Sequence, residues 1–449
     1  MGVTEATTVG GQLGEFAAGL RPEDVPAEVV EKLRCNLLHN LACAMGAHTD
    51  GGALWDAVRD RRPAEASLLC DGERIGAEHA AFANGAVMHT RAQDDTHFGA
   101  KTHVGSAVMP AALAVAERDG LSGAALATAV IAGCEVAAAV GERLVAATTP
   151  RGFRATPVFG TLGAAAAVAS LLGLDATAAA DAIAIASSFS AGLNQTWIDG
   201  TSEYRLEPGM AARNGIVAAT MAAAGFHGAG HWYEGDAGFA RAFAGDRDAA
   251  GGDWELGRRW RLMDVTYKPY PVCAITQSPV RIAIDLAGAH DLAPGDIAQV
   301  RCYLNPADRE YPGTVNPGPF NDIGASLMSA QFCVAMALRD RSATLEGLRA
   351  LQDPVILGLV ARSDVLGDER IPNLGARVEV DTVDGVTHGA DLIPDAATYG
   401  WDWDGVVANL AAMEPEIAVG RAGLDELQAA VRGVMELERI DPLVRGTVA

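Results

Sequence analysis

The first 260 residues are a succession of apolar segments with helical spacing, joined by short connections that carry Gly, Pro or Asp. Apolar residues three and four positions apart form one face of a helix, so this pattern predicts helices that pack on one another. A short hairpin is expected at residues 67–76, where Asp-Gly supplies the turn. The predicted helices cover residues 29–47, 76–90, 106–118, 122–146, 161–172, 176–188, 210–224 and 238–244.

Two stretches of this region, residues 155–174 and 182–198, contain no charged side chain. Both are rich in Ala, Gly and Ser rather than in Leu, Ile and Phe, and each is barely long enough to span a bilayer. Small residues allow helices to approach closely. We therefore expect interior helices of a soluble protein and no membrane span.

The composition changes after about residue 260, where aromatic residues, prolines and β-branched residues become frequent. A helix is predicted at 271–287, a strand at 297–305, a helix at 326–338, and a hairpin at 376–392 with Asp-Gly at its turn. The last fifty residues return to a helical pattern. The predicted fold is mainly α with a smaller α/β (α+β) domain: residues 1–266 and 401–449 form a large helical domain, and residues 267–400 form the smaller one.

The charge balance restricts the possible partners. The chain has 34 basic and 57 acidic residues and a formal net charge of −23. Nucleic acids and anionic membrane surfaces attract proteins through Lys and Arg, so neither is expected as a partner. The seven cysteines include no CxxC pair, and the N-terminus has no basic region followed by an apolar one. Free thiols in the cytoplasm are therefore expected.

The densest polar segment is residues 84–106, between two apolar helices. Titratable groups concentrated in a loop between rigid elements favour a functional site. Three interpretations stay open: Asp94, His97 and His103 bind a metal, the loop is merely solvated, or His103 transfers a proton while Asp94 or Asp95 sets its tautomer. The polar side chains of the segment include His89, Arg91, Asp94, Asp95, Thr96, His97, Lys101 and His103.

Two further clusters contain candidate ligands for an anion. Lys268 lies between Tyr267 and Tyr270 in a proline-containing segment, and it is one of only three lysines in the chain. A lysine among aromatic groups either has a lowered pKa or holds a carboxylate. The second cluster contains Tyr204, Arg205 and Arg213, and a guanidinium matches a carboxylate in two-point geometry. Cys273 has no neighbouring His or Asn in the sequence, which argues against a nucleophilic dyad, and no phosphate-binding loop is present.

Several of these segments together resemble the MmgE/PrpD family, in the order expected and from about residue 10 to the C-terminus. They include NGxxxH followed by DDT, the THxGS element, PGMAARNG, KPYPVCAITQSPV and SAQFCVAMAL. The resemblance implies an MmgE/PrpD-like two-domain fold with a helical domain and a smaller α/β lid, a homodimer, and an active site between the domains. Members include 2-methylcitrate dehydratase, cis-aconitate decarboxylase and iminodisuccinate epimerase. They act on small polycarboxylates without an organic cofactor or a metal, by moving a proton at a carbon next to a carboxylate.

The resemblance carries over at three residues, His103, Thr96 and Lys268, and the chemistry of proton transfer next to a carboxylate suggests roles for these and for their neighbours. His103 would be the general base or acid with Asp94 tuning it, and Tyr204 or Lys268 would serve on the opposite face. We expect the substrate-binding side chains to be Thr96, Arg91, His97, Lys101, Arg154 and Arg205, with Lys268 as a further carboxylate ligand.

The sequence departs from the decarboxylase-like members at three positions. Ala92, Arg154 and Tyr204 stand where those members carry aspartate, histidine and lysine. We therefore expect a lyase or isomerase of the dehydratase or epimerase type acting on a small di- or tricarboxylic acid. A cis-aconitate-type decarboxylase and a non-catalytic binder of small acids remain alternatives.

Overall fold

The computed structural model describes residues 8–49, 55, 64–245 and 253–448, and 60% of these residues are helical. Residues 1–7 belong to the N-terminal segment in which no signal peptide is expected, and they lie outside the described residues. The helices of the first half are α1 Val9–Gly19, α2 Ala27–Gly46, α3 Ala77–Thr90, α4 Val104–Asp119, α5 Gly123–Thr148, α6 Ala155–Leu171, α7 Ala176–Ser187, α8 Gln195–Asp199 and α9 Leu206–Ala223. A π-helical turn follows at Ala240–Ala244.

The seven longer predicted helices of the first half are confirmed, with shifts at their ends. The helix predicted at 161–172 begins six residues earlier at Ala155, and the one predicted at 210–224 begins at Leu206. The charge-free stretch 182–198 is not one helix, because α7 ends at Ser187 and Gly192 has a positive φ of 139°. The predicted hairpin is present as β1 Ala66–Ser67 and β2 Arg74–Ile75.

The helices of the larger domain approach one another closely at glycines. A Cβ on Gly133 of α5 would lie 2.5 Å from the carbonyl oxygen of Gly163 in α6, and a Cβ on Gly209 of α9 would lie 2.1 Å from that of Phe82 in α3. Among the described residues, one helical segment, Gly123–Arg151, is long and apolar enough to cross a membrane, and 89% of its most apolar window is buried inside the protein. Close packing against its neighbours accounts for this composition.

The smaller domain contains a mixed sheet with the strand order β6-β5-β7-β8. Strand β5 pairs in parallel with β6 and antiparallel with β7, which in turn pairs with β8. Its strands are β5 Ile297–Leu304, β6 Ser363–Gly367, β7 Ala376–Thr382 and β8 Thr387–Leu392, and its helices are α10 Gln277–Ala289, α11 Pro306–Arg309, α12 Ile323–Met328, α13 Ala330–Asp340, α14 Leu345–Arg349 and α15 Pro354–Val360.

Two helix predictions for this part need correction, and one strand was not predicted. The helix expected at 271–287 begins only at Gln277, after a 3₁₀ turn, Ala274–Thr276, because prolines interrupt the segment before it. The helix expected at 326–338 is two helices, because Ser329 is extended and caps α13. Strand β6 was not predicted, since its five residues are mostly exposed and do not alternate clearly.

Helix α16 Ala396–Tyr399 contacts Ser278 of the smaller domain through Tyr399. The helices after it return to the larger domain: α17 Trp403–Met413, α18 Gly420–Arg432 and α19 Asp441–Arg445. Helices α17 and α18 pack on α2. A two-residue pairing also joins the polar loop to the segment that enters the smaller domain, since β3 Thr96–His97 pairs with β4 Val265–Thr266. This pairing places the loop and the lysine-containing segment side by side.

Candidate active site

A cavity of about 150 Å³ lies between the larger and the smaller domain. The larger domain lines it with His89, Ala92, Thr96, Phe98, Lys101, His103, Arg154, Thr156 and Trp197. The smaller domain lines it with Lys268, Cys273, Ala274, Ile275, Asp308, Tyr311, Leu327, Met328, Asn373 and Leu374. A larger depression of about 330 Å³ lies between α1 and α7, but its described lining holds no histidine, lysine or arginine.

The cap of helix α4 fixes the position of His103. Both carboxylate oxygens of Asp95 accept a hydrogen bond from the backbone N–H of Gly105 at 3.0 Å, and Asn36 donates a further one at 3.3 Å. A Cβ at position 105 would lie 2.4 Å from the side chain of Asn40, so the turn requires glycine. Burial, together with the charge of Asp94, raises the pKa of Asp95 to about 7. Asp95 therefore orients the histidine rather than reaching the cavity.

The imidazole of His103 has one occupied side and one side available to a ligand. Its Nδ1 donates to the carbonyl oxygen of Asp95 at 2.7 Å, and it lies 3.4 Å from Oδ1 of Asp94. The Thr96 hydroxyl and the Lys268 ammonium each lie 3.5 Å from the same nitrogen. Because a carbonyl can only accept, Nδ1 carries the proton and Nε2 keeps its lone pair. Burial lowers the pKa of His103 well below 6.5, so the ring is neutral and can act as a base.

Asp94 is fully buried behind His103 and joins two histidines. Its Oδ2 accepts a hydrogen bond from Nδ1 of His89 at 2.8 Å, and the Nε2 of His89 accepts from Arg154 at 2.5 Å. Burial raises the pKa of Asp94, but His103, His89 and Lys268 outweigh burial, and the pKa lies well below its usual range. The carboxylate therefore stays ionised and holds His89 and His103 in fixed tautomers.

The ammonium group of Lys268 is buried beside the polar loop. It donates a hydrogen bond to the carbonyl oxygen of Ala92 at 2.6 Å. Ala92 adopts a positive φ of 50°, which turns this carbonyl toward the lysine. The backbone of Lys268 and Pro269 accepts two hydrogen bonds from the amide of Gln93, which is itself held by Arg91. Burial lowers the pKa of Lys268, against the field of nearby carboxylates.

Arg154 lines the cavity but already has several partners. One terminal nitrogen donates to the carbonyl oxygen of Tyr204 at 2.7 Å and to the carboxylate of Glu207 at 2.5 Å. The other donates to His89, and the guanidinium stacks over the ring of Trp197 at 4.7 Å. Of the five N–H groups of an arginine, three are therefore engaged. The charge of Arg154 is balanced by Glu207 before any ligand arrives.

Two arginines predicted to bind substrate do not line the cavity. Arg91 is buried on the far side of the loop, where it donates to the carbonyl oxygen of Gly46 and forms an ion pair with Glu416. It therefore supports the loop and does not face a ligand. Arg205 extends along its own 3₁₀ turn and donates to the carbonyl oxygen of Ser202 at 3.5 Å. The direction of each side chain is set by these partners, which the sequence did not indicate.

Tyr204 and His97 also lie outside the cavity. Tyr204 is fully buried, and its hydroxyl donates to the carbonyl oxygen of Thr90 at 2.9 Å. It therefore does not present a proton donor on the face opposite His103. The Nδ1 of His97 accepts a hydrogen bond from the backbone N–H of Ala100 at 3.1 Å, and its Nε2 lies 3.7 Å from Glu142. This histidine holds the end of the loop instead of contacting a ligand.

Apart from Lys268, the wall that the smaller domain contributes was not predicted from the sequence. Asp308 and Tyr311 follow strand β5 directly, and side chains at the end of a strand often line a cleft, which was a usable signal. Lys101 faces them: its ammonium lies 5.6 Å from the centre of the Tyr311 ring, and its charge lowers the pKa of Asp308, which burial raises. The other cavity residues that were not named as site candidates are His89, Phe98, Thr156, Trp197, Ala274, Ile275, Leu327, Met328, Asn373 and Leu374.

In the part of the chain that the structure describes, two groups of side chains have the spacing of metal ligands, and neither is the set of Asp94, His97 and His103 that the metal interpretation named. One group is His89, Asp94 and His103, and the other is His97, Glu142 and Asp264. In the first group Nδ1 of His89 donates to the carboxylate of Asp94, and Nδ1 of His103 donates to the carbonyl oxygen of Asp95. The ammonium of Lys268 lies 3.5 Å from Nδ1 of His103 and already supplies a positive charge there. Direct ligation by these Nδ1 atoms would require both hydrogen bonds to be lost.

The arrangement is thus a cleft with a neutral histidine, a buried ammonium and further donors, which suits acid–base chemistry on a small anion. Comparison with known proteins identifies the family. Residues 11–251 match the model of the MmgE/PrpD N-terminal domain, and residues 270–389 match that of the C-terminal domain. The chain belongs to the MmgE/PrpD family.

Curated relatives of this chain have low sequence identity to it. The chain is 32% identical over 246 residues to the cis-aconitate decarboxylase-like protein oryM of Aspergillus oryzae, a match that covers 51% of the chain and only 50% of that relative's length. It is 26% identical over 364 residues to cis-aconitate decarboxylase of Aspergillus terreus, which covers 76% of the chain and 74% of the relative. These relatives support an enzyme, and they leave its reaction and substrate open.

Proposed function

We propose that this protein is a lyase or isomerase that moves a proton at a carbon next to a carboxylate in a small organic acid, without an organic cofactor or a metal. The observation that carries the proposal is the state of His103. Its Nδ1 is hydrogen-bonded to a backbone carbonyl, its pKa is lowered by burial, and its ring borders the cavity beside Lys268. A neutral imidazole in this position is suited to accept a proton from a bound acid.

The mechanism assigns each side chain one role. Lys268 and the hydroxyl of Thr96 bind the carboxylate next to the reacting carbon. His103 removes the proton through Nε2, and negative charge then develops on the carboxylate as an aci-form. The fixed ammonium of Lys268 stabilises that charge at the place where it develops. Asp94 and Asp95 hold the imidazole in its orientation during the step.

The position of Tyr204 favours elimination over epimerisation within this proposal. Epimerisation with two bases needs a second proton carrier on the face opposite His103, and the hydroxyl of Tyr204 is instead directed into the protein. Lys268 lies on the same side as His103, 3.5 Å from its Nδ1. In a dehydratase type, His103 removes the α-proton and can then pass it to a β-hydroxyl, which leaves as water from the same face, so no second base is required there.

Decarboxylation of a cis-aconitate-like acid is the second candidate, because the curated relatives carry that name. Such a reaction replaces carbon dioxide by a proton, and the ammonium of Lys268 is the donor for it, because Nε2 of neutral His103 carries no proton. The exchanges at Ala92, Arg154 and Tyr204 argue against an unchanged substrate, since all three lie in or beside the site.

A proton-exchange experiment tests the proposal. A panel of di- and tricarboxylic acids is incubated in deuterium oxide with the wild type and with His103→Ala, and label at each carbon is followed by NMR. We expect label next to a carboxylate with the wild type and a strong decrease with the variant. Release of carbon dioxide without exchange in the substrate would favour decarboxylation. Binding without exchange or turnover would identify a non-catalytic binder.

We also propose that two copies of the chain associate and that the protein is cytoplasmic. Leu206 and Met210, both 38% exposed, lie one turn apart on α9, and Phe189 and Leu193, 38% and 57% exposed, lie in the connection before α8, whose backbone is hydrogen-bonded to Asn214 and Glu207 of α9. With a net charge of −23, copies repel one another over most of their surface, so an uncharged apolar face is where contact costs least. Leu193→Asp should give monomers in light scattering, whereas Phe226→Asp, at an exposed residue after the end of α9, should not. All seven cysteines are free, which supports a reducing compartment.

A further inference from the structure

The two walls of the cavity differ sharply in chemistry. His103, Lys268 and Arg154 form the polar wall. Ile275, Leu327 and Met328, which belong to the hydrophobic core of the smaller domain, form an apolar wall of the same cavity. A ligand that lies between the walls meets hydrogen-bond donors on one side and hydrocarbon on the other. An apolar wall of this kind contributes to affinity only when apolar ligand surface covers it.

The cations of the cavity are already matched by carboxylates. Arg154 is ion-paired with Glu207, and Lys101 lies in the field of Asp308. Lys268 is in the field of Asp94. Three cations therefore face three carboxylates, and the cavity has no surplus positive charge to attract a trianion.

A third carboxylate on the ligand would find no further cation. Lys268 and Thr96 serve one carboxylate, and the two remaining N–H groups of Arg154, with Lys101, can serve a second. A third group would meet the apolar side chains of Ile275, Leu327 and Met328 or neutral donors such as Asn373, and would lose its hydration without gaining an ionic partner.

We propose that the acid taken by this site carries at most two carboxylates and an apolar substituent of several carbons, which lies against Ile275, Leu327 and Met328. This inference rests on the proposed function, because it assigns the carboxylate end of the ligand to Lys268 and His103. It adds the substrate class: an alkyl-substituted dicarboxylate rather than a tricarboxylate.

Calorimetric titration of the full chain with four unreactive acids tests this directly: succinate, methylsuccinate, butylsuccinate and tricarballylate. Each buried methylene strengthens binding about fourfold, so butylsuccinate should bind at least about tenfold more tightly than methylsuccinate. Tricarballylate should bind more weakly than succinate. The reverse order, with tricarballylate tightest and no effect of chain length, would overturn the inference and leave the proposed function intact. If none of the four acids binds and no acid exchanges protons, both fail.

Two variants address the two walls separately. Ile275→Asn should reduce the difference between butylsuccinate and methylsuccinate to less than about threefold, and Val383→Asn, at a 67% exposed position of the same domain, should preserve it. Glu207→Gln releases the charge of Arg154 and should tighten binding of tricarballylate about tenfold relative to succinate. Circular dichroism and thermal melting check that each variant is folded. Because Glu207 lies outside the smaller domain, its result holds even if Ile275→Asn does not fold. An unchanged chain-length effect in Ile275→Asn would contradict the proposed position of the substituent.

Discussion

Two clusters that include histidines of the polar segment 84–106 contain the same kinds of side chain. They differ in whether a basic histidine nitrogen remains for a ligand. The open cluster is His89, Asp94 and His103, and the closed cluster is His97, Glu142 and Asp264. In the open cluster every Nδ1 proton points inward to a protein oxygen, so the Nε2 of His103 is left as a basic nitrogen at the cavity. In the closed cluster Nδ1 of His97 is the acceptor, so its Nε2 carries the proton and no basic nitrogen remains.

The charges around the two clusters differ in the same sense. Two arginines, Arg259 and Arg261, donate to both oxygens of Glu142 at 2.8–3.0 Å, and Arg259 also reaches Asp264. The carboxylates of the closed cluster are therefore fully used in joining the loop to α5 and to the 3₁₀ turn Arg261–Asp264. A reactive histidine therefore differs from a structural one in its tautomer and in which ring nitrogen is left to bind a ligand, rather than in the number of its acidic neighbours.

The largest expected effect separates the two histidines. His103→Asn should lower the rate of proton exchange by about 10² to 10⁴-fold, because it removes the base and keeps a side chain of similar size. His97→Asn is the matched control from the same loop, and it should lower the rate by less than about fivefold while reducing thermal stability. Exchange rates per folded protein, measured by NMR in deuterium oxide, check both. Equal losses in the two variants would show that the clusters do not differ in function.

The next effect compares two buried lysines. Lys268→Met should lower kcat/KM by about 10²-fold, since it removes the charge that stabilises the developing aci-carboxylate. Lys32→Met removes a second ammonium of a buried lysine, which stacks 4.5 Å from the ring of Tyr267 and does not line the cavity. Its kcat/KM should stay within about fivefold of the wild type. Steady-state kinetics with the best exchanged acid measures both. A Lys268 variant that loses only affinity, with kcat unchanged, would contradict a role in the transition state.

The sequence was sufficient for seven long helices of the first half, though not for α1 or α8, and for the two motifs that contain His103 and Lys268. Helical periodicity is local, and these motifs resemble those of the family, so neither depends on distant partners. The directions of Tyr204 and Arg154 could not be predicted, because they are set by the carbonyl of Thr90 and by Glu207, which lie 114 and 53 residues away. The difference between His97 and His103 was hidden for the same reason, since a backbone N–H at Ala100 determines which nitrogen of His97 accepts.

A smaller effect concerns stability and should appear only in the closed cluster. Glu142→Gln leaves the buried guanidinium of Arg261 without its main ionic partner, which should cost about 2 kcal/mol of unfolding free energy. The control is Asp285→Asn at an exposed helix pair with Arg281, where the cost should stay within about 0.5 kcal/mol. Denaturant unfolding measures both, and exchange activity per folded molecule should be unchanged. A loss of activity without loss of stability would assign the closed cluster a part in the reaction.

The smallest effect is a displacement of the pH profile, which sharpens the distinction between a buried base and a solvated one. A base must be unprotonated, so kcat/KM rises with pH through the pKa of His103, which burial lowers well below 6.5. A carboxylate-binding cation must be protonated, so kcat/KM falls as pH rises through the pKa of Lys268, which burial lowers from 10.5. Both limbs of the bell should therefore lie at lower pH than for the free side chains. Lys268→Arg should remove the alkaline limb, because a guanidinium does not titrate in this range, and should leave the acid limb in place. An acid limb at 6.5 or above in the wild type would mean that the reacting base is not the buried imidazole of the open cluster.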